Sequence, residues 1–198
     1  MGYIPTMGHT QLTFIETILG QMTHPERIRY GEYNEIRGIF EYPWDPSNTQ
    51  NGLQQAINTT NQTTSGGSIL RAIRMLVSDE NLNQTAPDST LIFVANTANS
   101  INIQQAVNLY NSALKYIGIK LTFILVGSNT NAADLQGFDD AIIYNWQNIG
   151  FFSEPDGWDL SDAFRCIAAP YIPCQSWIYF GIDDSNALNS SDYVVSGS

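Results

Sequence analysis

The stretch Leu91-Ile92-Phe93-Val94-Ala95 constrains this chain more than any other. It is a run of consecutive apolar residues, rich in branched and aromatic side chains. Pro87-Asp88 bound it before and Asn96-Thr97-Ala98-Asn99 after. A strand exposed to water on one face alternates polar and apolar residues, so an unbroken run reads as a strand covered on both faces. Lys120 to Val126 is a second such run, closed by Gly127, and Ala141-Ile142-Ile143-Tyr144 a third. Between them lie stretches with helical spacing. Val107, Tyr110, Leu114 and Ile117 follow the first run, Asn131 to Leu135 follow the second, and Leu160, Ala163, Phe164 and Ile167 follow the third. Strand and helix in alternation predict an α/β fold with a mostly parallel sheet and helices on both faces.

The N-terminal part fits the same plan. Leu12, Ile15, Leu19 and Met22 predict a helix over 10–22, with Phe14 and Ile18 widening its apolar stripe. Residues 27–33 and 36–42 predict two antiparallel strands joined by a turn near Asn34, stopped by Pro43-Trp44-Asp45-Pro46. A short helix over 51–60 follows, then a polar loop ending in Ser65-Gly66-Gly67-Ser68, with Ser68 the expected N-cap of a helix carrying Ile69, Ala72, Ile73, Leu76 and Val77. Beyond Pro170 only 177–182 is apolar enough for one more short strand. The expected organisation is therefore one domain over 1–169 and a largely irregular tail over 170–198, in keeping with a chain of 198 residues.

Charge and composition remove several classes of function. A formal charge of −11 with eight Lys and Arg leaves no basic stripe for nucleic acid. No run approaches the ~20 apolar residues of a membrane span, and the first 22 residues lack the basic start and apolar core of a signal peptide. Sequons stand at Asn58, Asn61, Asn83 and Asn189. Cys166 and Cys174 are close enough in sequence to close a small loop, while Cys166 paired elsewhere or buried as a free thiol remains open. There is no Gly-x-Ser-x-Gly, His-Glu-x-x-His or Cys-x-x-Cys. His9 and His24 flank the first helix on no shared face. Asp139-Asp140 and Asp183-Asp184 read as solvated turns, and Trp44, Trp146 and Trp158 as packing residues that could otherwise form a binding face.

Four phrases in order carry a family resemblance: Arg27-Ile28-Arg29-Tyr30-Gly31, Gly66-Gly67-Ser68-Ile69-Leu70-Arg71-Ala72-Ile73, Thr90 through Asn96, and Gly118 through Gly127. Over residues 6–168 the chain resembles a von Willebrand factor type A (vWA) domain, most of all the divergent secreted invertebrate members found beside C-type lectin modules. The resemblance implies a Rossmann-like three-layer α/β/α fold, a mostly parallel six-stranded sheet with one antiparallel edge strand, and a metal-ion-dependent adhesion site. In the family that site uses Asp-x-Ser-x-Ser after the first, central strand, a Thr before a later helix, and an Asp closing the strand that is here Leu91 to Ala95.

Counted back from Thr6-Met7-Gly8, the first motif falls on Gly2, Ile4 and Thr6; the Thr position falls at or beside Ser68, and the closing Asp on Asn96, with Thr97 next to it. No matched position is a carboxylate, so the expected site is degenerate, with no cofactor and at most weak Mg²⁺. The family's first strand also has no counterpart before Thr6, which would leave the edge of Leu91 to Ala95 unpaired. The resulting expectation is a secreted, non-enzymatic adhesion module that binds an extracellular protein or glycan through Thr6, Ser68, Asn96 and Thr97. Nucleic-acid and membrane partners are not expected, and a C-type lectin-like domain is the implied neighbour in a longer gene product. The alternatives are a small enzyme using 65–68 as an anion cradle, and a structural remnant.

Overall fold

A computed structural model describes residues 7–60, 67–78, 88–149, 153–164 and 177–183. In chain order its elements are α1 (Met7–Leu19), β1 (Ile28–Tyr33), β2 (Gly38–Tyr42), α2 (Gln50–Asn58), α3 (Ile69–Val77), β3 (Asp88–Val94), α4 (Ser100–Leu109), β4 (Lys120–Val126), β5 (Ile142–Trp146), α5 (Leu160–Ala163) and β6 (Trp177–Asp183). The six strands form one sheet in the order β2-β1-β6-β3-β4-β5. Every neighbouring pair is parallel except β1 and β2.

This is the expected α/β sheet with one antiparallel edge strand, but its centre is built differently from the expectation. The stretch assigned to an irregular tail holds β6, which lies between β1 and β3. It pairs Ile28 with Ile178 through Tyr33 with Asp183 on one side, and Asp88 with Trp177 through Ile92 with Gly181 on the other. The edge of β3 is therefore not bare. A strand with both sides paired leaves no backbone donor or acceptor orphaned in a dry sheet, which is why 177–183 belongs to the domain rather than to a tail. At the last β3–β6 pair the Tyr33 ring lies beside Gly181, and its hydroxyl donates to the Phe93 carbonyl at 2.5 Å, tying the flanking strands across the central one.

Alternation along the buried strands feeds two cores. Leu91, Phe93 and Ala95 of the β3 segment, with Ile124 and Val126 of β4, pack against Phe14, Ile15, Ile18 and Leu19 of α1 and against Leu53 and Ile57 of α2. Ile92 and Val94, with Leu121, Phe123 and Leu125, pack on the other face against α3 and α4. Phe40 and Tyr42 of β2 have the same parity yet join opposite cores. The register shifts between Tyr30 and Gly31, so that Tyr30 opposes Tyr42 while Gly31 opposes Phe40, and the bulge turns the side chains over.

Local chemistry sets the boundaries. Asn34 Oδ1 accepts from the N–H groups of Ile36 and Arg37, closing the β1–β2 turn. α1 begins three residues before the expected start and ends at Leu19. Beyond α4 the chain continues as a π-turn over Tyr110–Leu114 and a 3-10 turn over Lys115–Ile117, ending at Gly118 with φ of 83°. That left-handed residue lets the Ile119 N–H reach the Leu114 carbonyl at 3.3 Å and stops the helix.

Candidate functional site

All five parallel strands end on one edge of the sheet, so the segments after Tyr33, Val94, Val126, Trp146 and Asp183 gather there. Between the first turns of α3 and α4 this edge holds a cleft of about 380 Å³. Asn96, Asn99 and Asn102 supply its polar wall, Ile101 its apolar rim, and Glu35 from the β1–β2 turn is the one titratable side chain among its described lining residues.

Ser68 is the N-cap of α3, as expected. Its Oγ accepts from the Arg71 N–H at 3.2 Å and from Asn102 Nδ2 at 2.8 Å, and Asn102 Oδ1 accepts from the Leu70 N–H at 3.0 Å. One side chain thus joins the starts of α3 and α4. The Leu70 and Arg71 N–H groups at the start of α3 are thereby committed to side-chain acceptors. Ser68 itself is buried and does not line the cleft.

Asn96 does line it. Exposed at the end of β3, its Oδ1 accepts from the Ala98 N–H at 2.7 Å in a tight Asx turn. Its neighbour Thr97 is buried, donating to Asp134 Oδ2 at 2.6 Å and accepting from the Asn131 N–H at 2.9 Å. Thr97 therefore clamps the β3 end to the segment after β4. Among the proposed ligand-binding positions, the structure places Asn96 on the cleft, Ser68 beneath it and Thr97 in the adjoining clamp. Thr6, Asn61, Asn83, Asn189, Cys166 and Cys174 lie outside the described residues. Asn58 is exposed at the last position of α2.

Strand order bears on one sequence expectation. Counting back to Gly2, Ile4 and Thr6 assumes that the central strand precedes α1, whereas the strand in that place is β6. The run that begins at its end is Asp183-Asp184-Ser185-Asn186-Ala187, which keeps the first Asp and first Ser of the family pattern and has Ala at the last position. None of these side chains is among those described. Among the described residues, no group of three or more His, Cys, Asp or Glu is placed to hold a metal ion. Of the described positions, Ser68 Oγ and Asn96 Oδ1 each accept from a backbone N–H group and neither carries charge.

Other residues singled out in the sequence stand apart from the cleft. Trp146 is 1% exposed and donates to Ser153 Oγ at 2.9 Å. Trp44 stacks with the Arg29 guanidinium, 3.8 Å from the ring centroid, while Trp158 lines a groove beside α1; the three make no common face. His24 pairs with Glu26 at 2.9 Å. Asp139 and Asp140 lie 3.2 and 3.9 Å from Lys115 Nζ, and the Asp139 hydrogen bond leads the effects that raise that amine's pKa. Sequence reasoning missed Glu35, Ile101 and Asn102. Asn102 stands three residues after the α4 cap Asn99, but its partner Ser68 is remote in sequence, so no local pattern reveals the clamp.

Layer order, strand order and the single antiparallel edge together define a three-layer α/β/α fold of the vWA type. Comparison with solved structures bears this out. The chain is similar to proximal thread matrix protein 1 from the mussel byssus, with a TM-score of 0.59 at 12% identity over 73% of this chain and 37% of that one. A structure of the same protein with a zinc-occupied adhesion motif gives 0.57 at 11% identity over 70% of this chain, and a second crystal form gives 0.57 at 10%. The match spans little more than a third of the byssus protein's length. No family model matches the chain, and no curated protein matches it.

Proposed function

We propose that this chain is a non-enzymatic, extracellular recognition module that binds a protein or glycan through the cleft between α3 and α4, without strong metal dependence. One observation carries the reading. At the carboxyl edge of a parallel sheet, a cleft walled by Asn96, Asn99 and Asn102 is bordered by Ile101, which is 72% exposed. A large aliphatic side chain left in water beside convergent hydrogen-bonding groups is the composition of a binding face. Likeness of fold to a byssus matrix protein supports an extracellular setting, as does an exposed sequon at Asn58. A C-type lectin-like neighbour in a longer product fits the same setting.

The adhesion-site positions are then read as Asp183 and Ser185, at the end of the central strand in sequence, together with Ser68 and Asn96. Of the two acidic positions in the family pattern, only Asp183 is acidic here, so the site stays degenerate. A divalent ion at a concentration equal to its dissociation constant would add only about 0.4 kcal/mol of stability. Thermal melts with and without millimolar Mg²⁺ or Mn²⁺ are expected to shift by no more than about 2 °C. A larger upward shift would restore a metal-dependent site.

Function is tested by solid-phase binding of the labelled chain to immobilised matrix proteins and glycans. Binding should survive chelation by EDTA and weaken by about tenfold or more in Ile101→Lys. Loss of binding in EDTA, or full binding by Ile101→Lys, would refute the cleft as a metal-independent site.

A further inference from the structure

On the opposite face of the sheet, a second groove of about 390 Å³ runs along α1, between that helix and the segment following β5. Its size is within the roughly 300–1,000 Å³ of small-molecule sites. We propose that it binds a neutral sugar, at a site separate from the α3–α4 cleft.

The helix wall is unusual for a core-facing element. Thr10, Thr13 and Thr17 recur at intervals of three and four residues, and Gln21 continues the line in the turn after Leu19. β-Branched Thr is a weak helix former, and a stripe of Leu or Ala would serve packing better. The stripe instead gives the groove hydrogen-bonding groups along its length. Thr17 Oγ1 donates its proton to the Thr13 carbonyl at 2.9 Å, which leaves its lone pairs to accept from a ligand.

The opposite wall is shaped by one turn. The Trp158 N–H bonds to the Pro155 carbonyl at 3.1 Å, Gly157 takes φ of 68°, and the Asp156 N–H holds the turn to β5 through the Asn145 carbonyl at 2.8 Å. That geometry presents Trp158 to the groove. Its ring is braced by Phe14, with centroids 5.0 Å apart, and by Tyr144 at 5.1 Å, so it is half-buried and held in place before any ligand arrives.

Charge and polarity narrow the ligand. Among the described residues no Lys, Arg or His lines the groove, and Glu154 and Asp159 do, so phosphates, sulfates and sialic acids are disfavoured. Asp159 is taken up as the α5 N-cap, accepting from Ser161 Oγ at 2.6 Å and from the Asp162 N–H at 2.9 Å. Asp159 keeps its negative charge, but it and Glu154 are both exposed, so solvent screens their pull on a cation. Neutral hydroxyl and amide side chains outnumber the two carboxylates among the described lining residues. A rigid aromatic surface beside rows of donors and acceptors suits a molecule with one C–H face and several hydroxyls, which is the chemistry of a neutral pyranose.

Saturation-transfer NMR on the whole chain tests this with the methyl glycosides of galactose, mannose and N-acetylglucosamine, alongside sialyllactose and spermidine. Transfer is expected to at least one neutral glycoside, strongest at the protons of its C–H face. Affinity should fall about tenfold in Trp158→Leu and about three- to tenfold in Thr13→Val, and be unchanged in Ile101→Lys, which alters only the other cleft. Should Trp158→Leu fail to fold, Thr13→Val decides alone. No transfer to any neutral glycoside, preference for spermidine or sialyllactose, or unaltered affinity in Thr13→Val would overturn the proposal.

Discussion

The two faces of the sheet are closed by different means. On the α3–α4 face, tight apolar packing does the work: six of the nine α3 residues are buried, small Ala72 and Ala106 lie in that core, and Phe123 and Phe138 stack at 5.0 Å. On the α1–α5 face, two buried hydroxyls hold the covering helix. Ser89 Oγ donates to the Phe164 carbonyl and Thr122 Oγ1 to the Ala163 carbonyl, each at 2.6 Å, satisfying helix-end acceptors that would otherwise be orphaned. Among the described residues the four-residue α5 leaves the flank of α1 uncovered, and the groove lined by Trp158 lies there. Apolar helix faces give closure, whereas hydroxyl docking at one end fixes position and leaves space.

Substitutions can break this contrast, beginning with the largest effect. Phe93→Ala on the α1 face and Phe123→Ala on the α3 face should each cost about 3–5 kcal/mol in chemical denaturation, because both side chains are fully buried in the sheet. A much smaller loss for Phe93 would mean that the grooved face is loosely packed throughout, and not only at its flank. Thr122→Val should cost about 1–3 kcal/mol by stranding the Ala163 carbonyl, and limited proteolysis should then open the α5 region first. If that region stays protected, hydroxyl docking is not what holds the helix.

Gly157→Ala should cost about 1 kcal/mol, through backbone strain alone, since nothing lies within 4 Å of an added Cβ. Near-ultraviolet dichroism should report a displaced Trp158, and an unchanged spectrum would remove the turn from the account of the groove. The smallest expected effect is from pH. Hydrogen bonds from the Ser161 hydroxyl, first, and the Asp162 N–H hold the Asp159 carboxyl below its ordinary pKa. Its stabilising contribution is therefore full above the unfolded-state value and lost as pH falls through the lower folded value. Asp159→Asn should flatten that part of the acid limb in a melting-temperature profile.

Much of this plan was legible from sequence because it rests on local pattern. Apolar runs at Leu91 to Ala95 and Leu121 to Val126 demanded a doubly covered sheet, Ser68 announced the start of α3, and Asn34 marked the hairpin. The cleft was legible only in outline. Asn96 was singled out from its place after a buried strand, but Glu35 and Ile101 join it through a turn and a helix start remote from each other in the chain. Ser68 and Thr97 look exposed in sequence and are in fact clamps, since burial is decided by what folds over them.

By itself the chain's pattern determined the class of fold: periods of 3.6 and unbroken apolar strands leave an α/β layer structure as the way to bury both. Only tertiary structure decided that the last described strand occupies the centre. Strand order is a matter of which backbone edges find partners, and a short apolar run such as Trp177 to Asp183 carries no local signal of whether it will lie at an edge, in a tail or between β1 and β3.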